Sequence, residues 1–200
     1  MKKCTAAVLT AIFLCGQICA DSPVAPRAYA TTSWSGAFYF EMIPPRWNEA
    51  KDGLMDDGHG VAYQLLRDGS RKELWRTQDW YSPTVFLSEV GIYLVRLEPM
   101  IEGHGCSTGD LGIAFYKSGV LLRKYSTADI VADSKKAIRT VSHYFWLAAD
   151  AQRMGHQLNA EKRSDLEPRL SLDNTFRLIT CEGTIFVFDV TTGDIKSRQP

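Results

Sequence analysis

Little in these 200 residues is extreme. Lys and Arg together number 23, as do Asp and Glu, so neither sign of charge is in excess. A surface so balanced has no electrostatic footprint for a phosphate backbone or an anionic bilayer, which argues against nucleic acid and membrane partners. Histidine is scarce, at four residues. The close spacings of dedicated metal sites, Cys-x-x-Cys and His-x-x-x-His, do not occur. Nor does the Ser-x-x-Lys pair of serine acyl-enzymes. No apolar run reaches the roughly 20 residues that span a bilayer.

What is present begins at the N-terminus. The stretch MKKCTAAVLTAIFLCGQICADSP places Lys2 and Lys3 before the apolar segment Ala6 to Leu14 and ends it on Cys19 and Ala20. This is the layout of a secretory signal peptide, residues 1–20, with cleavage expected after Ala20. A lipoprotein signal needs small residues before its cysteine, whereas Leu14 precedes Cys15 and Ile18 precedes Cys19. Cleavage removes Cys4, Cys15 and Cys19 and leaves Cys106 and Cys181, a pair expected to join as a disulfide in the periplasm or outside the cell. It also removes two lysines and no acid, for a formal charge of about −2. A linker at 21–35 and one β-rich domain at 36–198 account for the rest.

Three stretches share a layout: VAYQLLRDGSRKELW from Val61, GIAFYKSGVLLRKY from Gly112 and TIFVFDVTTGDIKS from Thr184. In each, an apolar and aromatic run meets a turn glycine (Gly69, Gly119, Gly193) and resumes with apolar positions. Glycine supplies the positive φ of tight hairpin turns, so all three read as β-hairpins. A second pattern precedes two of them. SEVGIYLVRL from Ser88 and SLDNTFRLIT from Ser171 each run from serine through a turn residue, Gly91 or Asn174, into a strand with alternating apolar positions.

This grammar resembles the blades of β-propeller proteins, whose strands enter through a Ser-x-x-Gly turn and close on a stretch like FDVTTGDI. The resemblance implies three diverged blade-like units, roughly 36–78, 80–125 and 140–198, and a mainly β fold. Closed propellers have about 4–8 blades of roughly 40–45 residues. Three units therefore imply an open, partial propeller or a β-sandwich of similar hairpins.

One segment breaks the rhythm. Ser126 with Asp129 three residues on forms a capping box, and Ile130 and Ile138 follow at near-helical spacing, so a helix is expected over 127–139. TVSHYFWLA then reads as a strand with Val141, Phe145 and Leu147 on one face and Tyr144 and Trp146 on the other. Asp150 to Pro168 reads as a solvated excursion, and the stretch from Pro44 to Gly60 as a loop. Trp75, Trp80, Tyr81, Tyr144 and Trp146 read first as packing residues and second as interface anchors.

The chemistry-bearing candidates centre on IEGHGCSTGD, residues 101–110. Cys106 near His104 has the residue types of a thiol nucleophile, but its flanks carry no helix start to lower the thiol pKa. Ser107 has no base beside it in sequence. His59 and His104 lie in two Gly-His-Gly loops with acidic neighbours, a weak arrangement for zinc or a similar ion. No cofactor is expected. The favoured expectation is an exported, non-enzymatic binding protein. It would recognise another protein through the loop His104, Gly105, Cys106, Ser107 and Thr108, as an immunity-type antagonist plugs a secreted hydrolase. The alternatives are a thiol or metal-dependent hydrolase using the Gly-His-Gly loops and a structural envelope protein.

Overall fold

The computed structural model describes residues 25–48, 53–153 and 164–200. The expected signal peptide and the centre of the polar excursion lie outside them. The chain opens with β1 (Tyr29–Thr32) and β2 (Phe38–Ile43), makes a small hairpin of β3 (Arg46–Asn48) and β4 (Gly53–Asp56), and continues into β5 (His59–Leu65) and β6 (Arg71–Gln78). These form an antiparallel sheet in the order β1-β2-β5-β6, with β3 and β4 paired to each other outside it. A second sheet, β7-β8-β10-β11, uses β7 (Thr84–Leu87), β8 (Tyr93–Leu97), β10 (Leu111–Lys117) and β11 (Val120–Ser126). The strand β9 (Met100–Glu102) leaves that sheet and pairs with β13 (His143–Phe145), which pairs with β12 (Ile138–Arg139). The short helices α1 (Thr127–Ile130) and α2 (Ala148–Arg153) flank that three-stranded piece. A final sheet runs β14 (Arg169–Leu170), β15 (Thr175–Ile179), β16 (Ile185–Asp189) and β17 (Ile195–Gln199). The fold is mainly β, of open, blade-like antiparallel sheets, as the hairpin grammar predicts.

The sheets stack face to face on two cores. Phe40, Met42, Ala62 and Trp75 of the first sheet meet Leu87, Leu94, Ala114 and Tyr116 of the second. Val95, Leu97, Ile113 and Phe115, from the opposite face of the second sheet, meet Phe176, Leu178, Phe186 and Phe188 of the last. Strands β8 and β10 of the middle sheet are thus buried on both sides, which is why β10 is a continuous apolar run rather than an alternating one. In β16, with one covered face, Phe186 and Phe188 are buried while Ile185 and Val187 are only half-buried.

The same stacking contact recurs. Ser118 and Gly119, at φ 48° and 81°, make the two-residue turn of β10–β11, and both positive angles match the twist of the strands they join. A side chain at Gly119 would run into the carbonyl oxygen of Arg76 on β6. Gly193, at φ 80°, turns β16 into β17. There a Cβ would sit 2.7 Å from Cβ of Arg123 on β11. Each turn glycine therefore fits against the outermost strand of the preceding sheet. Gly69, in the first sheet, has the same positive φ and no neighbour within 4 Å.

The exposed borders are blunted. Each pairing of third and fourth strand carries a bulge, between Ala62 and Tyr63, Phe115 and Tyr116, and Val187 and Phe188. Bulges twist an edge away from further pairing. On the outer face of the first sheet Tyr39 stacks on Tyr63 at 5.2 Å, and Arg71 lies 4.7 Å over Tyr63 while bonding Glu41 at 3.0 Å. On that of the last sheet Arg177 donates to the carbonyl of Asp165 at 2.8 Å.

Several expectations are corrected. The first sheet begins at Tyr29, inside the stretch assigned to a linker, and the last begins at Arg169 rather than near 140. The expected helix over 127–139 is a single capped turn, Thr127–Ile130, followed by a 3₁₀ turn at Ser134–Lys136. The amides of Ala132 and Asp133 both donate to the Glu182 carboxylate at 3.0 Å, so they leave the helical ladder for a partner 50 residues on. Val141 is 63% exposed, whereas Tyr144 and Trp146 are fully buried. Tyr144 and Trp146 thus take the packing role read first for them, Leu147 is buried beside them, and Trp146 Nε1 bonds the Glu98 carbonyl at 2.7 Å. Asp150 begins no excursion, since it lies within α2.

Gly119→Ala is expected to cost about 3 kcal/mol, combining the left-handed penalty with overpacking. Gly69→Ala, with the same φ and open space, should cost about 1 kcal/mol. Urea unfolding of the two variants distinguishes them, and equal losses would refute the packed role of Gly119.

Candidate functional site

The loop 103–110 is built as a braced projection. Thr127, the first residue of α1, accepts from the Ser107 amide at 3.0 Å and shares a hydrogen bond with the Tyr144 hydroxyl at 2.9 Å. Tyr144 in turn donates to Asp110 at 2.8 Å. The Thr127 amide donates to the Asp110 carbonyl at 2.9 Å, so both legs of the loop are tied to one helix start. His104, Ser107 and Thr108 are exposed, Gly105 and Cys106 half-buried. Burial pushes the Tyr144 hydroxyl pKa well up, and its bond to Asp110 adds to that.

Cys106 and Cys181 are free thiols packed against the same core. Burial raises the pKa of both, and Cys181, with Cys106 as a nearby contributor, is pushed up to about 11. Thiols of this kind are poor nucleophiles at neutral pH, because the reactive thiolate is rare.

The residues Gly105-Cys106-Ser107-Thr108-Gly109 also have the Gly-x-Ser-x-Gly spacing of a nucleophile elbow, a signal passed over above. That elbow needs a strand turning into a helix. Here the loop joins two strands, β9 and β10, and the Ser107 hydroxyl accepts from the Gly109 amide at 3.0 Å. Ser142 Oγ lies 2.8 Å from His143 Nδ1, but these are chain neighbours and line neither cleft described below. His59 lies on β5 and His104 on the loop after β9. Among the described residues no three His, Cys, Asp or Glu side chains converge on a metal position.

The convergence that does exist is at the other end. Antiparallel strands place the loop 103–110 opposite the hairpin turns, and there the three sheets bring the same motif together. Ser88-Glu89-Val90-Gly91 and Ser171-Leu172-Asp173-Asn174 have a third counterpart, Ser33-Trp34-Ser35-Gly36. In each, the fourth residue donates to the serine carbonyl, at 3.0 Å for Gly36, 2.9 Å for Gly91 and 3.1 Å for Asn174. The fourth residue has positive φ every time, 72°, 68° and 60°. That third copy was legible from its Ser-x-x-Gly spacing but was not among the patterns read above.

These turns rim an open cleft of about 170 Å³ where the first strands of the three sheets meet, lined by Thr31, Trp34, Phe86, Glu89, Leu170 and Leu172 among others. Trp34 is 88% exposed, Leu172 64% and Val90 47%. Glu89 Oε2 accepts from the Ser35 amide at 3.1 Å, bridging two of the turns. The Ser35 side chain and amide hold the Glu89 carboxyl below its usual range. Leu66 and Val120, also exposed, sit in or beside hairpin turns of the same end.

A larger cleft of about 300 Å³ lies beside β10 and β11, with Arg96, Asp110, Tyr116, Lys124 and Asp129 on its walls. Most of its charges are already committed. Arg96 bonds Glu98 at 2.7 Å and lies 4.5 Å over the Trp80 ring, which itself stacks on Tyr116. Asp110 receives Tyr144, and Asp129 caps α1. Burial raises the Glu98 pKa against the pull of Arg96. Trp75 is buried in the first core and Trp80 and Tyr81 pack against it, the first of the two roles considered for these aromatics.

Among the described residues no helix is long and apolar enough to cross a membrane. No family model matches the sequence, and no curated protein does. Among solved structures, the crystal structure of Saccharomyces cerevisiae Sqt1 aligns with 86% of this chain at 14% identity and a TM-score of 0.32. The chain spans 50% of that protein's length.

The raised thiol pKa predicts an alkaline weakness. Cys181 holds its proton more tightly folded than unfolded, so its contribution is complete below about pH 9 and disappears as pH rises towards 11. Tyr29, Tyr116 and Tyr144, also raised by burial, act in the same direction at higher pH. Urea midpoints of the reduced protein should fall across this window, and Cys181→Ala should flatten the first part of the fall. An unchanged slope in that variant would show that the thiol is not the cause.

Proposed function

We propose that this chain is an exported, non-enzymatic binding protein that recognises another protein through the turn end of its sheets. The observation that carries this reading is the set of three equivalent turns that place exposed Trp34 and Leu172, together with Glu89, on one cleft. Contiguous exposed apolar groups mark interaction sites, and tryptophan is the residue most enriched among binding anchors. The polar, braced loop 104–108 at the opposite end supports a secondary contact. An immunity-type antagonist of a secreted hydrolase, acting by occlusion, fits this mode because it needs no chemistry of its own. The three four-stranded sheets are read as diverged blades of the propeller type, too few to close.

Export also bears on the thiols. In an oxidising compartment such as the periplasm, Cys106 and Cys181 join, each losing a hydrogen, while the disulfide of a thiol oxidoreductase accepts the two electrons and two protons. Thiol titration of the unfolded secreted protein is expected to find none before reduction and two after it. Two before reduction would discard the disulfide.

A photo-crosslinking residue in place of Val90 or Leu172, in the native host, is expected to trap one stoichiometric protein partner. Trp34→Ala should weaken that partner's binding about 30-fold, as loss of a roughly 2 kcal/mol anchor does. Adducts obtained at Ser107 and not at the turns would move the interface to the loop. No adduct from either end would remove the binding reading.

A further inference from the structure

The partner's chemistry is written in the charge at the cleft. Its walls are apolar, from Trp34, Phe86, Leu170 and Leu172, with hydroxyls from Thr31 and Ser171. Among the described residues the one ionisable side chain lining it is Glu89. That carboxylate is fixed in place rather than swinging free, because its Oε2 accepts from the Ser35 amide at 3.1 Å across the gap between the first two sheets. A carboxylate oriented in this way has lone pairs left for a second donor. By contrast, the acids at the larger cleft and on the outer faces are already bonded to cations, hydroxyls or a helix start.

Resting on the binding reading above, we infer that the turn-end cleft takes a protein loop presenting an apolar side chain directly followed by a lysine or arginine. The apolar group enters between Trp34 and Leu172, and the cation meets Glu89. The volume of about 170 Å³ holds one aliphatic or small aromatic side chain and excludes a folded element. A second copy meeting this one turn against turn is a poorer occupant, because the three turns carry Glu89 and Asp173 and no Lys or Arg between Ser33 and Gly36, Ser88 and Gly91, or Ser171 and Asn174. Like charges would face one another.

Three capped dipeptide probes test this: acetyl-Leu-Arg-amide, acetyl-Leu-Glu-amide and acetyl-Gly-Arg-amide. Each is titrated into isotope-labelled protein while the Trp34 indole N–H resonance is followed. The Leu-Arg probe is expected to shift Trp34 saturably and to bind about threefold more tightly than Leu-Glu at low salt, the size of one exposed ion pair. High salt and Glu89→Gln should each abolish that preference, and Glu89→Lys should reverse it. The Gly-Arg probe should bind more weakly than Leu-Arg by the lost apolar contact. Equal binding of Leu-Arg and Leu-Glu at low salt, with Trp34 still shifting, overturns the charge assignment but leaves the turn end as an interface. No saturable Trp34 shift with any probe overturns the cleft as a side-chain receptor. If the partner trapped at Val90 and Leu172 then still depends on Trp34, the binding reading survives that loss.

Discussion

The structure depends on burying one sheet from both sides. Strands β8 and β10 contribute Leu94, Ala114 and Tyr116 to one core and Val95, Ile113 and Phe115 to the other. Neither outer sheet touches the opposite core, so the middle sheet is the common partner through which each is held. A sheet that loses water on two faces gains roughly twice the apolar burial per strand, which is the dominant favourable term in folding. Its central strand β10 accordingly carries an apolar run without polar alternation.

Repetition follows from that stacking. Gly119 against Arg76 and Gly193 against Arg123 are the same contact made twice, each needing both a positive φ and the absence of a Cβ. Where the repetition stops, the surface changes character. The outer faces carry Arg71 with Glu41 and Arg177 with a carbonyl, and the outer edges carry bulges. These features keep open sheets from adding strands or layers. The turn end has no such protection. Its exposed tryptophan and leucine stand out because the other borders are defended, and this contrast is the physical case for recognition there.

The opposite end uses polar bonds to make a loop rigid. Thr127 does three things at once, since it starts α1, receives the Ser107 amide and meets the Tyr144 hydroxyl. The loop is thereby tied to the larger core through fully buried Tyr144. Cys106 sits on the same base as Cys181, so a bond between them would add to a brace already present.

The hairpins were legible in the sequence because their determinants are local: Gly69, Gly119 and Gly193 must supply positive φ whatever surrounds them, and alternation around them sets the strands. The Ser-x-x-Gly turns were legible for the same reason, two of three being read. The helix expected over 127–139 failed because its competitor was distant, the Glu182 carboxylate capturing two amides. Tyr144 and Trp146 were legible as packing residues from their size, whereas the exposure of Val141 needed the stacked sheets to decide it. The candidate site moved for the most general reason. Sequence shows a conspicuous loop, but only stacking decides which turns lie side by side. It brought Trp34, Glu89 and Leu172, far apart along the chain, to one rim. Local backbone geometry is encoded residue by residue, whereas proximity between sheets is a property of the packed whole.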